Sequence, residues 1–320
     1  MRARGVRSKS KGQSRGPTPV MQQYAAAKAQ HPQAVIFFRL GDFYEMFHDD
    51  AVEISALLGL TLTSRGEGPD GVRIPMAGVP HHAAASHIAR LLAHGKEVAL
   101  CEQMADPALC RGIVPRQVVR VITPALCLEA GGLDAKCANY LVALAHDAEG
   151  WALARFEYST AELSCCRVAD DAALLAELVR LEPRELVAPD VAGALAEAMR
   201  LALPHLALRP APPEMPSWDA VQARLAADSA APLVRARAQW DAATTTALSL
   251  ALDFAAARQP TAPLHCRYAG AYLPADHLQL DEHAVRHLEL VRTAEGERQG
   301  SLLVYLDETR TAMGARLLRR

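Results

Sequence analysis

The chain has 320 residues, of which 51% are apolar and 22% charged, with 19 glycines and 20 prolines. This composition excludes a disordered, collagen-like or coiled-coil protein and suggests two domains with a piece of a third. The net charge of −2 hides an asymmetry. Residues 1–16 carry six Lys/Arg and no acid, so the remainder stands at −8, a poor candidate for binding nucleic acid by bulk charge alone.

The first sixteen residues read as a disordered basic tail, with nothing apolar to pack and no secretory signal. Order is expected from Thr18-Pro19, a cap followed by the residue best suited to open a helix, which should run to about Gln30 before Pro32. Val35–Leu40 has the composition of a strand, and Gly41-Asp42 turns the chain. Ala51, Ile54, Leu57 and Leu58 then give a helical stripe closed by Gly59, and Leu60–Ser64 alternates like a strand. After a loop at Gly66–Gly71 and the small-residue segment Ile74–Pro80, a helix is expected between His81 and His94, ended by Gly95. Strands at Glu97–Met104 and Gln117–Thr123 complete an α/β domain of about a hundred residues.

A second α/β unit begins near Leu126. Leu141–Ala145, Ala152–Tyr158 and Leu163–Val168 read as a meander, turning first at Glu149-Gly150. A helix at Asp170–Leu181, a short strand at Glu185–Ala188 and a helix at Val191–Leu203 follow. Pro210–Pro216 reads as a linker or loop, and from Trp218 onward the periodicity is helical, with Asp281–Arg292 and Ser301–Arg320 as its last stretches. The amphipathic pattern continues to Arg319-Arg320 without a closing cap, which reads as truncation. Seven cysteines, at 101, 110, 127, 137, 165, 166 and 266, form no CxxC pair; this fits a reducing, cytosolic compartment better than a disulfide framework or zinc site. No apolar run approaches the ~18 residues of a membrane span.

The densest anomaly is Phe37–Phe47, which holds four of the six phenylalanines. If the backbone after Gly41-Asp42 is extended, Phe43 and Glu45 share a face by the two-residue period. An exposed aromatic beside a carboxylate would make a wedge with a hydrogen-bond acceptor. Packing of Phe43 onto the next helix, with Glu45 solvated, is the competing reading, and the usual burial of large aromatics favours it.

Other patterns are weaker. His81, His82, His87 and His94 lack the i,i+4 spacing and acidic or thiolate neighbours of a metal site. Asp147, Glu157, Asp170 and Asp171 would be nuclease carboxylates, but their positions match turns and a helix N-terminus. Arg111, Arg116 and Arg120 lie in an acid-free stretch, Pro107–Leu128, as phosphate holders or a solvated edge. There is no GxxxxGK[ST] loop. Gly66–Gly71 fits GxGxxG by letter, yet no helix opens after it and Glu67 and Asp70 would repel a pyrophosphate. Gly12–Gly16 fits GxSxG without a strand to build a nucleophile elbow.

TPVMQQYAAAKAQHP, FFRLGDFYEMFHDDA, LTLTSRG, IPMAGVPHHA, EVALCEQMADP and VVRVITP, in that order, closely resemble the N-terminal part of the bacterial MutS family of DNA mismatch-recognition proteins. LDEHAVRHLELV and LDETRTAMGARLLRR are similar to the start of that family's helical core. The resemblance implies a small mixed α/β mismatch-binding domain over 17–125, after the tail at 1–16. An RNase H-like α/β connector over 126–255 would follow, then the beginning of an all-α core domain over 256–320. It implies that Phe43 inserts from the minor groove and stacks on a mispaired base to which Glu45 bonds. Leu40 and Met76 would line the groove, and Arg65 and Arg120 would hold phosphates. No cofactor is implied within this chain, and no catalytic or metal residue. ATP, magnesium and ATPase activity belong to the family's C-terminal domain, as does homodimerisation. A downstream repair protein of the MutL type is implied as partner, by way of the connector, together with mismatched double-stranded DNA. No membrane is implied; the location would be the cytoplasm, on the nucleoid.

Overall fold

The computed structural model describes residues 18–319 apart from 69–70, 106–109, 111, 129–135, 190–192, 238, 277–279 and 281. The expected basic tail and Arg111 therefore lie outside the described residues. Contacts divide the chain into two units, residues 1–84 with 99–118 and residues 85–98 with 119–320.

In the first unit, helix α1 (Pro19–Gln30) opens as expected, the Thr18 hydroxyl accepting from the Met21 N–H at 3.4 Å. Strands β1 (Ala34–Leu40) and β2 (Phe43–Phe47) form an antiparallel hairpin. Helix α2 (His48–Leu58) ends at Gly59, whose φ of 69° suits the left-handed cap. Asp50, on α2, is buried and accepts from the Tyr24 hydroxyl (3.0 Å), Lys28 Nζ (2.8 Å) and the Ile36 N–H (3.2 Å). One carboxylate thus ties α1, β1 and α2 together. The Tyr24 ring meets Phe38 and Phe47 edge-on, at 5.7 and 5.1 Å between centroids.

Strands β3 (Thr63–Glu67) and β4 (Arg73–Pro80) follow. The strand expected at Leu60–Ser64 therefore lies three residues later. Alternation in Leu60–Leu62 has no partner to pair with, whereas Thr63 and Ser64 pair with Met76 and Pro75 of β4. A short 3₁₀ turn (His81–Ala83) leads into α3 (Ala84–Ala93), which from Ala85 counts with the second unit, and β5 (Glu97–Gln103) and β6 (Arg116–Ile122) complete a sheet in the order β3-β4-β2-β1-β5-β6.

The second unit carries the meander β7 (Tyr140–Asp147), β8 (Gly150–Glu157) and β9 (Glu162–Val168). Next come α4 (Asp171–Leu181), capped by Asp170, then β10 (Glu185–Ala188), α5 (Gly193–Ala202) and β11 (Ala207–Pro210). Helices α6 (Trp218–Gln222), α7 (Ala227–Arg237) and α8 (Ala242–Ala257) precede β12 (Tyr268–Ala271). The sheet order is β11-β10-β7-β8-β9-β12. Alternate side chains divide between two cores: Leu141, Ala143, Ala154 and Phe156 meet α8, while Val142, Leu144 and Leu153 meet Leu174 and Leu178 of α4. Both faces are therefore covered by helices.

The helical periodicity expected from Trp218 onward is interrupted by β12, which pairs in parallel with β9. At the end of the chain, α9 (Glu282–His287), α10 (Leu302–Leu306) and α11 (Ala312–Arg319) are shorter than the two expected stretches. Asp307 breaks the last one. Its carboxylate accepts from the Thr309 N–H at 3.0 Å and from Lys136 at 2.8 Å, a local alternative to helix hydrogen bonding. Among the described residues no helix is long and apolar enough to cross a membrane.

Candidate nucleic-acid interface

The β1–β2 hairpin closes at Leu40 and Phe43 through the two-residue loop Gly41-Asp42. Gly41 supplies φ of 58°, the positive value such loops need at their first position. Beyond the loop, β2 alternates as its sequence requires. Phe43 is 47% exposed, Tyr44 is buried, and Glu45 is half-buried. Phe43 pairs with Leu40 on one side and Pro80 on the other, and Glu45 pairs with Phe38 and Gly78. Phe43 and Glu45 thus share a face, with Leu40 at the same level and Met76, opposite Phe47, further along.

The intervening Tyr44 does the opposite work. Its hydroxyl donates to Glu102, its ring lies under the Arg39 guanidinium at 5.4 Å, and the His81 ring is 5.5 Å away. Burial, followed by the Glu102 carboxylate, pushes the phenol well above its usual range, so it remains a neutral donor. Tyr44 anchors the strand while its neighbours are presented outward.

Arg65 reaches this face from β3. Its Nη1 donates to both Glu45 oxygens, at 2.8 and 2.6 Å. The pairing of β3 with β4 is irregular between Ser64 and Glu67, and Gly66 there takes φ of 67°. Arg116 is also present: its guanidinium lies 5.2 Å over the Phe38 ring and donates to the carbonyls of Arg39 (2.7 Å) and Val114 (3.0 Å). Burial holds the Arg116 guanidinium below its usual range, and the nearby Arg65 charge acts in the same direction. In the sequence Arg116 was visible only as one arginine of an acid-free stretch. Its contacts with the Arg39 carbonyl and the Phe38 ring place it beside the hairpin.

Residues 18–130 match the family model described as MutS domain I, and residues 139–204 match the one described as MutS domain II. The chain belongs to the MutS family. It is 48% identical over 318 residues to the DNA mismatch repair protein MutS of Sorangium cellulosum, an alignment covering 95% of this chain and 34% of that protein. The MutS of Myxococcus xanthus is 40% identical over 309 residues, with the same coverage of each chain. This chain thus spans about a third of the length of the curated relatives it matches. Among solved structures, the catalytic core domain of BIV integrase matches 35% of this chain and 80% of its own, at 15% identity and a TM-score of 0.21, which decides nothing about the fold.

The remaining candidates of this MutS chain are engaged in separate contacts. Arg120 belongs to the second unit and donates to the Leu126 carbonyl at 3.0 Å. Of the acids considered for nuclease chemistry, Asp147 pairs with Arg167 at 2.5 Å and Glu157 is buried, accepting from the Asn139 and Ser159 N–H groups. Asp170 caps α4, and Asp171 accepts from the Trp151 indole at 2.8 Å. Each has a structural partner. Among the described residues no three His, Cys, Asp or Glu side chains are grouped to hold a metal ion. The four central thiols, Cys101, Cys165, Cys166 and Cys266, are buried, which pushes them up to about 11 or 12 and leaves them neutral.

Proposed function

We propose that this chain is the mismatch-recognition region of a MutS-type DNA repair protein and binds mispaired double-stranded DNA through the β1–β2 hairpin. Phe43 enters from the minor groove and stacks on the mispaired base, and Glu45 accepts a hydrogen bond from it. Leu40 and Met76 line the groove, while Arg65 and Arg120 hold phosphates. The observation that carries this reading is the exposure of Phe43 beside Glu45, on a strand whose other face is anchored by Tyr44.

The energetics are consistent. A wedge costs a few kcal/mol in unstacking and kinks the duplex. A mispaired step is already weakly stacked, so the same deformation costs less there, and selectivity comes from deformability rather than from a base code. Every base has a π face, so one phenylalanine serves many mispairs.

The proposal extends to the architecture: a mismatch-binding domain over 17–125, an RNase H-like connector over 126–255 and the start of an all-α core over 256–320. The connector docks a MutL-type protein. Dimerisation, ATP and magnesium belong to the part of the relatives' length outside this chain.

Fluorescence anisotropy with a G·T duplex and its matched counterpart, at low ionic strength, tests the wedge. The unsubstituted chain binds the mispaired duplex more tightly, on the order of tenfold for one stacked base. Phe43→Ala brings that ratio to about one while the chain stays folded. Equal discrimination by both proteins removes the assignment.

A further inference from the structure

We propose that Arg65 determines specificity by acting as the removable counter-ion of Glu45. It neutralises the carboxylate in the unbound protein and over matched duplex, and it releases Glu45 to the base only where a mispair offers a donor. This inference rests on the hairpin reading above.

Three observations lead to it. First, both Glu45 oxygens are occupied by one guanidinium nitrogen, so the acceptor that would read a base is already engaged. Second, the pair spans a strand. The order β3-β4-β2 puts Arg65 and Glu45 two strands apart, about 10 Å between backbones. The strand between them presents Gly78 directly opposite Glu45, with no side chain to stand in the way. A Cβ there would lie 3.6 Å from Glu45 Cγ and 4.0 Å from the Phe43 ring. The irregularity between Ser64 and Glu67 falls at Arg65 itself. Third, the two partners differ in freedom. The Arg65 side chain is 51% exposed and that of Glu45 only 13%, so the arginine can swing away while the carboxylate stays in place.

The electrostatics give the pair a purpose. An uncompensated carboxylate at a minor-groove wedge is repelled by phosphates within a Debye length on both strands. Pairing with Arg65 removes that repulsion during the search along matched DNA. Water reaches the arginine side of the pair, so a base donor together with a phosphate can displace it, the base taking Glu45 and the phosphate taking Arg65. Arg116, pinned to two backbone carbonyls, stays behind as a fixed positive charge on the same face.

The test is a double-mutant cycle on this chain with Arg65→Ala, Glu45→Gln and their combination, using matched and G·T duplexes at low ionic strength. With Glu45 present, Arg65→Ala is expected to weaken matched binding about tenfold and mismatched binding about threefold or less, so discrimination rises. In the Glu45→Gln background the same substitution weakens both duplexes by one common, smaller factor. Arg65→Lys, which keeps the charge, restores matched binding to within about twofold. Arg65 is a plain phosphate contact, and the inference falls, if Arg65→Ala lowers both duplexes equally in both backgrounds. The Phe43 reading survives that outcome. If the unsubstituted chain itself binds both duplexes equally, the hairpin reading fails and takes this inference with it.

Discussion

The β1–β2 and β7–β8 hairpins both turn through two residues, Gly41-Asp42 in one and Ala148-Glu149 in the other, and both place a large aromatic at or just beyond the loop. Trp151 is held: its ring lies 4.6 Å from His146, directly across the strands, and its indole N–H donates to Asp171. Phe43 makes no ring contact with any described residue and is 47% exposed. Two loops of equal length thus lead to a packed aromatic where a helix N-terminus supplies a partner and a presented one where none is supplied, the first loop taking its positive φ at Gly41 and the second just beyond its loop, at Gly150. An exposed aromatic at a hairpin tip contributes little to folding, which leaves it available for a base.

The comparison can be broken at the glycines first. Gly150 takes φ of 114°, and a Cβ there would meet the Val168 and Ala169 carbonyl oxygens at 2.5 and 2.7 Å. Gly150→Ala should therefore cost about 3 kcal/mol or more, combining strain with a clash against backbone. A denaturant titration giving less than half of that would show that the β8–β9 edge yields. Next comes the packed aromatic. Trp151→Ala should cost about 2 kcal/mol, against about 0.5 kcal/mol or less for Phe43→Ala. Equal shifts in the two thermal melts would mean that Phe43 is a structural residue after all. Gly41→Ala ranks third, at about 1 kcal/mol, because its φ is positive but a Cβ would find open space. Its unfolding midpoint should fall only slightly.

The smallest effect is a pH dependence at the second hairpin. Asp147 ends β7, and the hydrogen bond from Arg167 holds its carboxyl below the usual range. A carboxyl whose folded value is the lower one stabilises fully above its unfolded value, and that contribution fades as pH falls through the folded value. Asp147→Asn should flatten this part of the acid titration followed by circular dichroism, and an unchanged acid slope would contradict the pairing.

Much of this was legible in the sequence. Thr18-Pro19 opened α1 where a cap and an N1 proline demand it, Gly59 closed α2, and Asp170 capped α4. These signals are local, carried by two or three adjacent residues. Of the strands that sequence reading missed, β11 and β12 are four-residue edge strands that exist because β10 and β9 offer them backbone to pair with, and β4, read only as a small-residue segment, is an interior strand held between β3 and β2. The displaced start of β3 has the same cause.

The amino-acid sequence by itself determined that, if the segment after Gly41-Asp42 is extended, Phe43 and Glu45 share one face and Tyr44 takes the other, because a strand has a period of two; pairing with β1 and β4 makes it extended. Only the tertiary structure decided that Phe43 stays uncovered, that Glu45 meets Arg65, and that Arg116 lies over Phe38. Those outcomes depend on which strands become neighbours and where pairing slips, and both are set by contacts between residues twenty to eighty positions apart.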